Sequence, residues 1–488
     1  MKSHRIGTVA CLLMLLAPGI SAAETLDDII GEYQRKSGTP GLSVVVIKGD
    51  AFVHEGAYGL ASVELKVPVT RETVYQTAST TKVFTGVAVM MLIEQGKLAL
   101  GDRVTDIIPG LPETWKDVTV HHILTHTSGI PDALDIRGQA IADTPENLFD
   151  VLAGKPLDYQ PGDSWSYNQT GYVLAGEIIR IRTGLSFDEF CRKHIFGPLG
   201  MNSTSFGGVH HLVPDRASYY TADASGALVP HVDGIYPELT WTGAGVNTSA
   251  HDFALFDIAL RQGKLLKPET RETMLSPVRL NDETVFRHRT GTTGYGCGWA
   301  HINYPDHPAV GMEGGHTNAY YRFTQDDLAI IVLTNFVGRE PPSLLVERIA
   351  SHFIPDFRSP IAQLKQLEDL LADNDPRARN LGRELADGAW ANARLLNSVA
   401  WVMVTTGPPS RRDMDTALRA AERAAVLTRH EDAGVLDTLA RVHHELGNAD
   451  MAVHWQQRAV DQAGDNRLRD ELISTLTQYR QAAVAGNK

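Results

Sequence analysis

The chain has 488 residues, 43% hydrophobic and 21% charged, which is ordinary for a globular protein long enough to hold more than one core. With 58 acidic against 45 basic residues the formal net charge is -13, which argues against nucleic acid and anionic membrane surfaces as partners.

At the start, Met1-Lys2-Ser3-His4-Arg5 precede an apolar run over 6–20 and then Ser21-Ala22-Ala23. A charged beginning, an apolar run short for a bilayer span and a small-residue site predict a cleavable signal peptide over 1–23. A periplasmic or secreted protein is therefore expected, with no stable membrane anchor after cleavage; an uncleaved anchor is the other reading. Cleavage leaves Cys191 and Cys297, either a disulfide pair or two free, buried thiols.

Gly38-Thr39-Pro40-Gly41 opens a β-branched run over 42–47, Lys48-Gly49-Asp50 is a turn, and 51–59 returns, predicting a hairpin. Next comes Gln76-Thr77-Ala78-Ser79-Thr80-Thr81-Lys82, running into an apolar stretch over 83–93 that predicts a buried helix ending at Gly96. Ser79 falls at the helix start and Lys82 three residues on, on the same face. The partial positive charge of the helix end and the desolvation of the amine suit a hydroxyl nucleophile with its base attached. Taken alone the pair is weak, because an N-cap serine and a solvated lysine fit the same letters.

His122 and His126 stand four apart, a spacing open to two metal ligands, but no acidic residue lies between them and no third ligand is evident. Structural histidines are expected. His443-His444-Glu445 likewise lacks the second histidine of a zinc-hydrolase motif. Pro161-Gly162 and the polar run after it predict a loop leading into a helix, with Tyr167 either a packed aromatic or a proton carrier. Gly314-Gly315 precede a short strand over 319–323; such a pair admits close backbone or ligand approach, or a turn with positive φ. A further buried strand is predicted over 328–335. Strands at both ends of a helical, loop-rich middle predict an α+β (mixed α/β) architecture, with an antiparallel sheet flanked by helices.

After Pro355 the composition turns helical. Leu364, Leu367, Leu370 and Leu371 form an amphipathic stripe, and Asn374-Asp375-Pro376 is a break. Segments 417–424 and 452–459 align with their alanines 35 residues apart, each preceded by another helix, and a last helix follows.

In this order the stretches resemble the serine β-lactamase and penicillin-binding-protein superfamily, in the class C β-lactamase-like branch with its secreted esterases and D-aminopeptidases. Thr39-Pro40-Gly41-Leu42-Ser43, Ala78-Ser79-Thr80-Thr81-Lys82, Leu124-Thr125-His126-Thr127-Ser128-Gly129, Pro161-Gly162 with Tyr167 and Tyr172, and Val332-Leu333-Thr334-Asn335 carry the likeness, which covers about residues 25–355. It implies a sheet flanked by helices plus an all-helical domain, Ser79 as the acylated nucleophile, Lys82 as its partner amine and Tyr167 as the proton shuttle. The asparagine of the family's Tyr-x-Asn falls on Gln169, one methylene longer.

The family's third motif, Lys/His-Thr/Ser-Gly, aligns on its glycine with Met312-Glu313-Gly314, and Gly315 then joins Ser79 in the oxyanion hole. A shifted register would use His316-Thr317-Asn318. In the first register the cation is absent, which favours neutral esters or amides over β-lactams. Peptides with a D-amino acid, whose amine Glu313 would receive, are the other class. Gln169, Glu313, Gly314, Gly315 and His316 are thus the expected substrate-binding residues.

The likeness implies no metal or organic cofactor. The C-terminal period resembles tetratricopeptide repeats, implying a partner-binding groove or a stabilising appendage. The expected organisation is a signal peptide (1–23), a hydrolase domain (24–355), a helical linker (356–390) and a repeat-like region (391–488). The competing function is a catalytically weakened binding protein acting through those helices.

Overall fold

The computed structural model describes residues 25–132, 145–208, 210–223, 225–231, 238–286, 292–302, 304, 306–338, 340–388, 393–408, 412–463 and 467–486, so the expected signal peptide lies outside the described residues. Helix α1 (Leu26–Ser37) begins at a capping box between Thr25 and Asp28 and stops at Gly38, whose φ is 74°. The predicted hairpin follows as β1 (Gly41–Lys48) and β2 (Ala51–Ser62), with β3 (Val67–Pro68) beside β2. The remaining strands of the main sheet come late in the chain: β4 (Thr292–Tyr295), β5 (Ala300–Ile302), β6 (Ala309–Gly314), β7 (Asn318–Phe323) and β8 (Leu328–Thr334). They form one eight-stranded sheet in the order β3-β2-β1-β8-β7-β6-β5-β4. Every pair in it is antiparallel.

The uninterrupted apolar runs of β1 and β8 are explained by burial on both faces. Leu42, Val44 and Val46 of β1 and Leu328, Ile330 and Val332 of β8 point to one side. There they pack on Ile29 and Ile30 of α1 and on Leu345, Val346 and Ile349 of α5 (Pro342–Phe353). The alternate residues, Val45, Ile47, Ala329, Ile331 and Leu333, face the other side. That side is covered by α2 (Lys82–Glu94) and α4 (Ala250–Arg261), with α3 (Thr170–Thr183) packed on α2. The α2 helix is buried nearly all round, as its sequence predicts.

Cys191 and Cys297 are both buried and free; no disulfide joins them.

Beyond the sheet, helices span Pro360–Ala372, Arg377–Asp387, Ala393–Thr405, Met414–Leu427, Ala433–Glu445, Ala449–Gln462 and Arg467–Gly486. The stripe residue Leu367 and Leu385, from the stretch expected as a linker, share one core with Leu396, Val399 and Ala417. Ala417, Ala420, Ala421, Ala424, Ala452 and Ala459 are buried where helices cross. Among the described residues, no helix is long and apolar enough to cross a membrane.

Candidate active site

The site is built around a short 3-10 turn, Ala78–Thr81, which runs directly into α2. The Lys82 N–H reaches the Ser79 carbonyl, and in a 3-10 turn residues i and i+3 eclipse, so both side chains leave on the same side. The turn is pinned from several directions. Thr77 N donates to Val246 O at 2.9 Å, and Val246 N donates to Thr81 Oγ1 at 3.1 Å. Thr80 Oγ1 donates to Asn318 Oδ1 at the start of β7, and Asn318 Nδ2 donates to Gly314 O at 2.9 Å. The bridge from Thr80 to Asn318 was not legible in the sequence, because residues 238 positions apart leave no local signature of their contact.

Ser79 is half-buried, whereas Lys82 is 0% exposed. The amine donates to Gln169 Oε1 at 2.8 Å and to Gly243 O at 3.0 Å. It lies 4.7 Å from the Tyr167 ring centroid and 4.8 Å from that of Tyr172. Burial holds its pKa well below the usual lysine range, and the nearby Asp132 carboxylate pulls partly the other way. A Cβ on Gly243 would stand 2.5 Å from Gln169 Oε1 and 3.4 Å from Lys82 Nζ, so only glycine lets this carbonyl reach the amine.

Tyr167, Asn168 and Gln169 are fixed by the segment carrying the Leu-Thr-His-Thr-Ser-Gly motif. Ser166 N donates to His126 O and Asn168 N to His126 Nδ1, both at 3.0 Å. Asn168 Nδ2 donates to Ile130 O at 2.6 Å, and Gln169 N to Asp132 Oδ2 at 3.1 Å. Asn168 is therefore a buried structural residue, while Gln169 turns its longer amide onto Lys82. His122 does not accompany His126: its Nδ1 accepts from Thr119 N at the helix cap.

The third motif adopts the glycine register. Gly314 pairs with Asn318 at the end of β6, and its backbone lies so close to Thr77 and Thr80 that a Cβ would collide with both. Gly315 has φ 56°, and a Cβ there would meet Ala78 at 3.2 Å, which places it beside the Ser79 turn. Met312 faces the same side as Gly314, with Tyr295 OH 3.8 Å from its sulfur. His316 is exposed at the tip of the turn.

Two expectations need correction. Glu313 does not enter the cleft: strand alternation sends it to the opposite face of the sheet, where the Tyr321 hydroxyl donates to it. The register through His316 is not adopted, because Thr317 and Asn318 are buried and Asn318 anchors the strand end.

The structure thus brings together Ser79, Lys82, Tyr167, Gln169, Gly314 and Gly315 and sends Glu313 to the far face, while His316 is exposed on the turn next to Gly315. A separate cavity of about 550 Å³, lined by Asp257, Arg322, Trp299 and His301 among others, includes none of them.

The family model described as Beta-lactamase matches residues 26–351. Penicillin-binding protein 4* of Bacillus subtilis (strain 168) is 29% identical over 339 residues, 64% of this chain and 71% of that protein. The octameric penicillin-binding protein homologue from Pyrococcus abyssi superposes with a TM-score of 0.61 at 28% identity, over 70% of this chain and 80% of that one. D-amino acid amidase from Ochrobactrum anthropi SV3, solved with L-phenylalanine amide, gives a TM-score of 0.56 at 24% identity, over 64% and 90% of the two chains, a likeness of fold. With its sheet, its helical cover and a family match through both, the chain belongs to the Beta-lactamase family.

Proposed function

We propose that the chain is an exported serine hydrolase that works through an acyl-enzyme on Ser79. The observation that carries this reading is the setting of Lys82, a fully buried amine whose two hydrogen bonds go to neutral oxygens. An uncharged amine donates two hydrogens and keeps one lone pair, so these bonds leave it able to accept a proton from the hydroxyl one turn earlier. The Ser79 oxygen then attacks the acyl carbonyl, with the backbone amides of Ser79 and Gly315 receiving the oxyanion. Tyr167, adjoining Lys82, gives its phenol proton to the leaving group as the carbonyl–leaving-group bond breaks and takes the proton held by Lys82 in its place. Water, deprotonated by the same pair, opens the acyl-enzyme and releases the acid.

In the glycine register Met312 takes the place that the resemblance gives to a cation, so the site offers little to hold a β-lactam carboxylate. Neutral esters and amides are the favoured acyl donors. With Glu313 on the far face, the idea that it receives a substrate amine loses its basis. Export rests on the pattern of residues 1–23, and a partner-binding role for the C-terminal helices on their repeat-like period.

The test is covalent labelling by a fluorophosphonate or penicillin probe, with Ser79→Ala as control, beside a panel of p-nitrophenyl esters, nitrocefin and D-alanyl amides. Labelling lost in the control, with ester turnover exceeding nitrocefin turnover, is expected. An unlabelled wild type would turn the reading to a binding protein acting through its helices.

A further inference from the structure

We propose that His126 is a positioning residue for this reaction: Asn168 N–H anchors one edge of its imidazole, and the ring is the wall that sets Tyr167 beside Lys82. The inference rests on the acyl-enzyme reading above and adds a residue to it.

Three observations meet at this side chain. First, Nδ1 accepts the Asn168 N–H at 3.0 Å, so in the neutral ring the proton sits on Nε2. His126 is thereby tied to the middle residue of Tyr167-Asn168-Gln169, with the phenol on one side and the Lys82-bound amide on the other. Second, the ring centroid lies 4.4 Å from that of Tyr167 and 5.2 Å from that of Tyr172. These are the same two phenol rings that flank the Lys82 amine. Tyr295 at 4.7 Å and Trp165 at 5.6 Å complete the enclosure, and Tyr159 OH donates to the His126 carbonyl. Third, the residue is held at a cost. His126 is 1% exposed, Nε2 is buried without a hydrogen-bond partner among the described residues, and φ is 63°.

A left-handed backbone at a non-glycine residue and a buried unpaired donor each work against the folded state. Local strain of this kind persists where the surroundings over-determine it, and it concentrates at functional sites. The strained backbone here also serves the site, since its carbonyl accepts Ser166 N–H at 3.0 Å one residue before Tyr167. The wall must be uncharged. Burial, with the Lys82 charge second, keeps the imidazole pKa well below its ordinary value. A protonated ring would lose the Asn168 bond and oppose the amine.

Two substitutions separate the two contacts. His126→Asn keeps an acceptor at the position of Nδ1 and suits the left-handed backbone, but removes the wall. His126→Phe keeps a ring and removes the acceptor. The readouts are the rate of Ser79 labelling by a fluorophosphonate, per folded molecule, and kcat and KM on a p-nitrophenyl ester. Both variants are expected to lose on the order of 10–100-fold in labelling rate and kcat, with KM little changed, as for misplaced reacting groups.

A variant that labels at the wild-type rate, or a loss confined to KM, overturns the proposal. Wild-type protein gives a check independent of the variants' folding: ¹⁵N-histidine spectra should show one pH-invariant Nε2–H tautomer whose signal moves when Ser79 is acylated. No such signal, or one indifferent to acylation, also overturns it. Failure of the wild type itself to label, measured against Ser79→Ala, sinks the acyl-enzyme reading; unaffected variants of a labelled wild type sink only the role of His126.

Discussion

Lys82 is the residue on which the proposed chemistry turns, and its surroundings set the pH at which that chemistry begins. Burial lowers its pKa and Asp132 raises it. Replacing Asp132 with Asn removes the opposing influence, so the amine should lose its proton at lower pH. The acid limb of kcat/KM is expected to move to lower pH in Asp132→Asn, as read from a pH–rate profile; an upward move would contradict the assignment. Gly243→Ala drives a methyl into Gln169 Oε1 and crowds the amine. It should cost on the order of 100-fold in kcat, the penalty of misplacing a catalytic group by about 1 Å, while circular dichroism shows the fold retained.

Ser79 and Lys82 stand three apart, a local spacing, whereas Tyr167 was assigned its role only through the order of the motifs and the resemblance they carry. Gly243 and Asp132 were not legible, since one contributes a carbonyl and the other a charge from distant segments. Glu313 was misplaced for another reason: letters show that a strand alternates, but not which parity faces the cleft.

At the scale of elements, the 3-10 turn and the end of β6 are one assembly held by Asn318. That side chain accepts from Thr80 and donates to Gly314, both buried contacts. Asn318→Ala leaves a buried hydroxyl and a carbonyl without this partner, and roughly 2–3 kcal/mol of stability should be lost. Denaturant unfolding would read that loss, and the ester kcat should fall with it as the Ser79 turn loosens from Gly315. A variant as stable and active as wild type would show that the bridge does not hold the turn.

The strands over 42–47 and 328–334 were readable from their β-branched, unbroken apolar character. Their pairing was less so, because β1 and β8 meet across nearly 300 positions and periodicity says nothing about which strands adjoin. The helices of the last third were visible through their alanines, whose small side chains allow close crossing.

For the molecule as a whole, the seam between the sheet and the C-terminal helices depends on Glu347 of α5. Its carboxylate accepts from Tyr304 OH at 2.9 Å and from Ser359 Oγ. Ser359 in turn caps the helix Pro360–Ala372 by accepting Ala362 N–H at 3.1 Å. Burial chiefly, with Glu313 nearby, pushes the Glu347 carboxyl from 4.5 up to about 7. An acid raised in the folded state is favoured there as its neutral form. Stability is therefore full below the unfolded value, declines as pH rises from about 4.5 to about 7, and stays reduced above. The shift corresponds to on the order of 3 kcal/mol. Glu347→Gln should flatten this decline, its melting temperature changing less than that of wild type between pH 5 and pH 8 in scanning calorimetry. Parallel profiles would remove Glu347 from the account.

The border of the main sheet on the β3 side has its own consequence. That border is a selvedge of two residues, one of them Pro68, which has no amide hydrogen to offer. It lies only against the Leu60–Ser62 end of β2, so among the described residues the outer edge of that strand over 51–58 has no strand beside it, and that stretch is where a neighbouring molecule finds a ladder to extend at high concentration.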